Sequence, residues 1–286
     1  MQPDCRWRPL ECLQRKRKRV RSVVKTRLNE RIRRIVTFGM VMSALLAFAE
    51  QSVSQEDRKI ELNAQGILAR VDKIMEYPRG QIAGNMKHIR PDGSATNINF
   101  TGFITEEDYL FTFKSRDRGE MLKVLYNLGG EGIWVYNIHA LKLFHKLGID
   151  KYDEILSTNY SYIDLSNADY QSNYTATIDG DALVKGIDVW RLILKPILKG
   201  GSYGMLTLYV TKDRFIPIRI DFHDRDKAIF KFMTIVNVRE SEDRIVPLRY
   251  DMMNIRQGTV TIFNFSDFEE KITFKKDLFR PEKLGE

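Results

Sequence analysis

The sequence predicts a mainly β fold, an antiparallel sheet with one strongly apolar face and little helix. Three neighbouring runs and the turns between them carry the prediction. Residues 205–210 (Met-Leu-Thr-Leu-Tyr-Val), 215–222 (Phe-Ile-Pro-Ile-Arg-Ile-Asp-Phe) and 228–236 (Ala-Ile-Phe-Lys-Phe-Met-Thr-Ile-Val) alternate with the period of two that a strand imposes. The connections at 211–214 and 223–227 are short and polar, so neighbouring runs are antiparallel. In the second run Ile216, Ile218, Ile220 and Phe222 share one face, while Arg219 and Asp221 point the other way.

Taken in order, the chain opens with a polar, arginine-rich stretch containing Arg15-Lys-Arg-Lys-Arg19. Residues 31–34 form a basic flank to an apolar run, 35–49, that ends in Ala47-Phe-Ala49. The run is short for a bilayer span, and a basic flank, this hydrophobic length and an A-x-A site make a cleavable signal peptide. Residues 1–49 are therefore read as leader, 50–59 as a polar linker and 60–286 as one domain, giving a protein exported to the periplasm. Next comes the one clear amphipathic helix: Asn63 caps it, Ile67, Leu68, Val71, Ile74 and Met75 share a face, and Tyr77-Pro-Arg-Gly80 ends it.

Strands follow at 81–89 and 95–104 around the hairpin signal Pro91-Asp-Gly93, then at 109–114, 121–128, 133–136 and 141–146. A short helical or loop segment is expected over 151–170. Strands resume at 174–178 and 187–194, run through the three already described, and continue at 245–252 and 259–268. The tail, 274–284, is expected to form a turn of helix over a sheet edge.

Charge and cysteine content exclude several function classes. The net charge of +8 suggests a nucleic-acid binder, but residues 1–49 hold 13 of the 46 Lys and Arg and only 3 of the 38 Asp and Glu. The remainder has 33 basic and 35 acidic residues, a net of −2, and so carries no footprint for a phosphate backbone. Both cysteines, Cys5 and Cys12, lie in the leader, so the body has no disulfide, thiolate nucleophile or cysteine metal site.

Gly200-Gly-Ser-Tyr-Gly204 matches the G-x-S-x-G elbow of hydrolases, with Asp221 and His223 as conceivable partners of Ser202. That elbow needs a helix after the serine, and here a strand follows. The four histidines have no ligand spacing, and no glycine loop for a nucleotide is present. No catalytic residue, metal or cofactor is expected. What remains is apolar surface. Leu206, Leu208 and Val210 line one side of their strand, Phe230 and Phe232 share a side with Val236, Val246 aligns with Leu248 and Tyr250, and Phe263 with Phe265. A helix of about three turns covers little of such a sheet, so the apolar face closes on itself, packs on a second sheet or receives a ligand.

In order and spacing, several segments resemble the outer-membrane lipoprotein-sorting proteins, the LolA/LolB-like group. They are Ser115-Arg-Asp-Arg-Gly119, Leu122-Lys123, Ile133-Trp-Val-Tyr-Asn137, Tyr160-Ser-Tyr-Ile-Asp-Leu165, Tyr209-Val-Thr-Lys212, Ile216-Pro-Ile-Arg219, Asp221-Phe-His-Asp224, Val246-Pro247 and Met253-Asn254. The resemblance covers residues 60–278; Ile138 stands where the family has proline and Ile163 where it has an acidic residue. It implies a curved, incomplete antiparallel barrel with helices covering its open mouth and a concave face that shelters acyl chains of lipoproteins or lipids in the periplasm. Implied partners are an inner-membrane transporter or loading complex, such as an RND-type exporter, and an outer-membrane acceptor. The expected lipid-binding residues are Leu206, Leu208, Ile218, Ile220, Phe222, Phe230 and Phe232. An adaptor that docks on an exporter and carries no lipid is the alternative, with a Ser202 lipase or esterase behind it. Each buried methylene is worth about 0.8 kcal/mol, so an acyl chain left in water costs on the order of 10 kcal/mol. Moving it from bilayer to cavity changes little, and partners must supply direction.

Overall fold

A computed structural model describes residues 63–127, 132–166, 169–198, 200–240, 244–270 and 272–286. The leader with its cleavage site and the linker lie outside the described residues. Among the described residues one helix, α1 (Ala64–Met75), precedes thirteen strands. Asn63 begins it as expected, its side-chain oxygen accepting from the Gly66 N–H at 2.8 Å, and Ala64, Ile67, Leu68, Val71 and Ile74 form its buried face.

The first half of the sheet comprises β1 (Gly80–Ile89), β2 (Ala95–Ile104), β3 (Asp108–Ser115), β4 (Gly119–Asn127), β5 (Ile133–Asn137) and β6 (Lys142–Lys146). The second comprises β7 (Tyr174–Val184), β8 (Ile187–Pro196), β9 (Met205–Thr211), β10 (Pro217–His223), β11 (Ile229–Glu240), β12 (Ile245–Asn254) and β13 (Thr259–Glu269). Each matches an expected strand, and β7 and β11 run further than alternation indicated. All pairings are antiparallel, and β1 joins the two meanders by pairing with both β2 and β13. The order runs β6 to β1, then β13 down to β7, so β6 and β7 are the free edges of an open, curved half-barrel.

Between those edges, residues 147–166 and 169–173 cross the concave face. In this crossing segment Ile155, Tyr160, Tyr162 and Leu165 are buried in one core with α1 and the inward residues of both meanders. Helix and crossing segment together cover the concave side, as the resemblance implied. The crossing segment consists of short 3-10 turns (Gly148–Tyr152, Ile155–Ser157, Ile163–Leu165) and one α-helical turn, α2 (Tyr170–Asn173).

The tail departs from expectation. Its 3-10 turns, Lys276–Phe279 and Pro281–Lys283, pack on the outer face of the sheet over β3 and β4. Leu110 and Leu125 point outward from β3 and β4, and Phe279 and Leu284 bury them. An outward face that carries leucines needs its own cover, and the tail supplies it.

Candidate functional site

The site is built by the crossing segment. Leu156 and Ser157 take left-handed backbone conformations (φ 49° and 56°), and Glu154 pairs back on Ser161. This tight reversal drives residues 158–161 down onto the sheet. Asn159 satisfies the ends of β12 and β13: its Nδ2 donates to the carbonyls of Met252 (2.9 Å) and Thr259 (3.0 Å), and its Oδ1 accepts from Thr259 Oγ1 at 2.7 Å. The Tyr160 hydroxyl donates to the Tyr250 carbonyl at 3.2 Å. Backbone carbonyls deep in a core need such partners.

Beyond them lies a buried ion pair. Lys231 Nζ sits 2.6 Å from Asp164 Oδ2, and the two side chains are only 5% and 3% exposed. Asp164 Oδ2 also accepts from the Ser161 N–H and hydroxyl at 2.8 and 2.7 Å, and Oδ1 accepts from the Tyr203 hydroxyl at 2.7 Å. The ammonium lies 4.9 Å from the ring centres of Tyr203 and Phe222 and 5.9 Å from that of Phe230. Three rings and a carboxylate replace the water this cation has lost. Burial, with the Asp164 charge next, pushes the Tyr203 hydroxyl well above the usual phenol range.

Beside this pair is a cavity of about 380 Å³, within the range of small-molecule sites (roughly 300–1,000 Å³). Its floor is the concave face: Phe222, Met233, Tyr250, Met252 and Phe263. Met75 and Tyr77, where α1 ends, form one wall; the crossing segment and the β8–β9 loop form the others, adding Asp164 and several tyrosines. The space is amphiphilic, with an apolar floor and hydroxyl-bearing walls. At its edge Asp72 accepts from the Tyr170 and Gln171 N–H groups, both at 2.9 Å. Burial outweighs those bonds and pushes its carboxyl up to about 6.

The seven residues expected to bind lipid fall into different places. Leu206, Leu208, Ile220 and Phe222 are buried on the concave face, and Leu208 pairs with Ile220 across β9 and β10. Of the seven, Phe222 alone reaches the cavity wall. Two bulges displace others. Val210 pairs with Pro217 and Tyr209 with Arg219, which leaves Ile218 as an extra residue outside the inward set. His223 pairs with Ile229 and Phe222 with Lys231, so Phe230 is extra too, half-buried against Tyr203. The inward positions of β11 are therefore Lys231, Met233 and Ile235. Phe232 lies opposite Asp221 on the outer face, with the Arg219 guanidinium 4.2 Å from its ring centre. Ile218 and Phe232 thus do not share the inward side that unbroken alternation assigned them, while Phe230, as the bulged residue, still packs against the core beside Tyr203. Reading sequence alone missed Met233, Met252, Tyr250, Phe263 and the Asp164–Lys231 pair as parts of the site. In the sequence the segment 160–165 stands out as part of the 151–170 loop and for its resemblance, not as a site.

Ser202 lies in the loop between β8 and β9, followed by a strand. Both ring nitrogens of His223 are engaged, by Thr207 Oγ1 (3.0 Å) and the Lys227 carbonyl (3.1 Å), and Asp221 is held by Arg219 at 2.6 Å. These three residues form no triad. Among the described residues no cluster of His, Cys, Asp and Glu has metal-holding geometry, and no helix is long and apolar enough to cross a membrane.

The profile of a family described as "-like: Uncharacterized protein" matches residues 105–286. No curated protein matches the sequence. Three solved structures share the fold. A DUF1329 family protein from Desulfovibrio piger is 19% identical, with TM-score 0.68 over 77% of this chain and 97% of that one. A domain described as that of an outer membrane lipoprotein-sorting protein, from Vibrio parahaemolyticus, is 20% identical, with TM-score 0.67 over 78% and 98%. A LolA superfamily protein from Nitrosomonas europaea is 19% identical, with TM-score 0.64 over 78% and 100%.

Proposed function

This chain belongs to the family described as "-like: Uncharacterized protein", and on the geometry of its concave cavity we propose that it is a periplasmic carrier of acyl chains. In this proposal residues 1–49 direct export and are removed, 50–59 are a linker, and 60–286 are the carrier domain. The observation that supports it best is the amphiphilic cavity, apolar on the sheet side and hydroxyl-bearing on the crossing segment. A lipoprotein or lipid acyl chain lies along Phe222, Met233 and Met252, while its polar end meets the tyrosines. Methionines suit that role because an unbranched thioether side chain adapts to a mobile chain. The likeness in fold to a lipoprotein-sorting domain and a LolA superfamily protein supports the same reading.

Transfer then proceeds between two apolar environments of similar free energy, bilayer and cavity. An inner-membrane loading complex, such as an RND-type transporter, drives the chain in, and an outer-membrane acceptor with a tighter site draws it out. The protein itself contributes shelter and performs no chemistry.

The test is lipid analysis by mass spectrometry of protein isolated from the envelope fraction, beside a Met233→Trp variant that narrows the cavity. Stoichiometric acyl lipid with the wild type, lost by ten-fold or more in a folded variant, is expected. Wild type that carries no lipid and binds no fluorescent fatty-acyl probe overturns the proposal in favour of an adaptor.

A further inference from the structure

The outer face of the sheet carries a second cavity, of about 440 Å³, between β2–β4 and the tail that covers them. Its apolar lining comes from Leu110 on β3 and from Phe274, Leu278 and Leu284 in the tail. Its charged groups are not balanced. Glu286 accepts from Lys283 Nζ at 2.7 and 2.8 Å. That leaves one lining carboxylate, Asp277, against two lysines, Lys123 and Lys275. Lys123 is half-buried on β4, on the outward side it shares with Leu125, and its side chain makes no hydrogen bond or ion pair among the described residues.

Two cations against one carboxylate at the wall of an apolar pocket match an anionic amphiphile: the tail of the ligand fills the pocket and its head neutralises the remaining positive charge. We propose that this outer pocket binds a single-chain amphiphile with an anionic head, a carboxylate or phosphate, with Lys123 and Lys275 holding the head. The site is on the opposite face of the sheet from the concave cavity and stands independently of the carrier proposal.

The experiment photolyses hexadecanoic acid bearing a chain diazirine with the protein and maps adducts by peptide mass spectrometry. Adducts are expected within 272–286 or 103–110. They should fall ten-fold or more in Lys123→Gln and persist in Lys123→Arg, while any adducts in the crossing segment stay unchanged in both. Unlabelled hexadecanoic acid and lysophosphatidic acid should both compete, the more effective naming the head. Absence of adducts from these regions, labelling equal in Lys123→Gln, or competition by neutral hexadecanol as strong as by the acid each overturns the assignment. Loss of the crossing-segment adducts alone counts against the carrier proposal and leaves this one standing.

Discussion

Lys231, on the floor of the half-barrel, and Asp164, in the segment that crosses it, meet at 2.6 Å in a setting from which water is excluded. The pair ties a sheet strand to the lid over the cavity. Removing one partner strands the other. Asp164→Ala is expected to cost about 3–5 kcal/mol, because it leaves an uncompensated ammonium in the core. The double variant Asp164→Leu with Lys231→Met should recover most of that loss, since apolar groups of similar volume do not need a counter-charge. Urea denaturation of the three proteins measures this, and a double variant no more stable than the single one contradicts it.

Asp72 gives a pH dependence with a definite sign. Its folded carboxyl titrates at about 6 against an ordinary value of 3.8, so the folded state binds a proton the unfolded state has already released. Its contribution to stability is full below about pH 3.8 and is lost as pH rises through about 6. Asp72→Asn should flatten the stability profile across that window, at a lower overall level because one of the two N–H bonds to Tyr170 and Gln171 is lost. Thermal melts between pH 3.5 and 7.5 in both proteins decide it.

Ile220 is fully buried in the packed core, whereas Phe222 two residues on borders the cavity. A carboxylate at Ile220 therefore has no water to enter, and Ile220→Asp should cost several kcal/mol, enough to unfold a typical domain. Circular dichroism of the purified variant is the measurement. A folded Ile220→Asp protein shows that this part of the face is cavity after all.

Gly84 sits at a bulge of β1, where a Cβ would overlap the Asn264 carbonyl oxygen and the Phe100 ring. Gly84→Ala should destabilise by about 1–3 kcal/mol, because neither a strand carbonyl nor a stacked ring can withdraw without cost. A change in melting temperature within error of zero refutes this.

The contrast between Leu208 and Phe232 shows what the sequence could reveal. Strands were legible because alternation and turn residues are local, and the helix because Asn63 and its apolar face are local too. Leu206 and Leu208 lie inward as alternation says, since β9 is unbroken. Phe232 does not, because the extra residue at Phe230 inverts the parity of the residues that follow it as far as Ile235. No local signal marks that insertion. The same shift brings Lys231 inward, which looks unfavourable until Asp164, far along the chain, comes to meet it. Polar residues that serve a core from a crossing loop are legible only once the loop's path is known. The tail was misplaced for a related reason: whether it covers an edge or a face depends on which face of β3 and β4 stays apolar.

The position of β1 constrains the order of events in time. Asn85 lies beside Asn264, 179 residues later, across the pairing that unites the two meanders. Each meander assembles from neighbours in the chain, but the seam between them closes only when β13 is available. Closing so long a loop is slow, and until then β1 and β13 present unpaired strand edges to other chains. If the chain is exported as proposed, threaded through a membrane from its N-terminus, it meets this delay on the far side, with β1 emerging long before its second neighbour. Folding of this chain is therefore governed by the last strand to arrive, and truncation within β13 should leave two meanders that accumulate as aggregates.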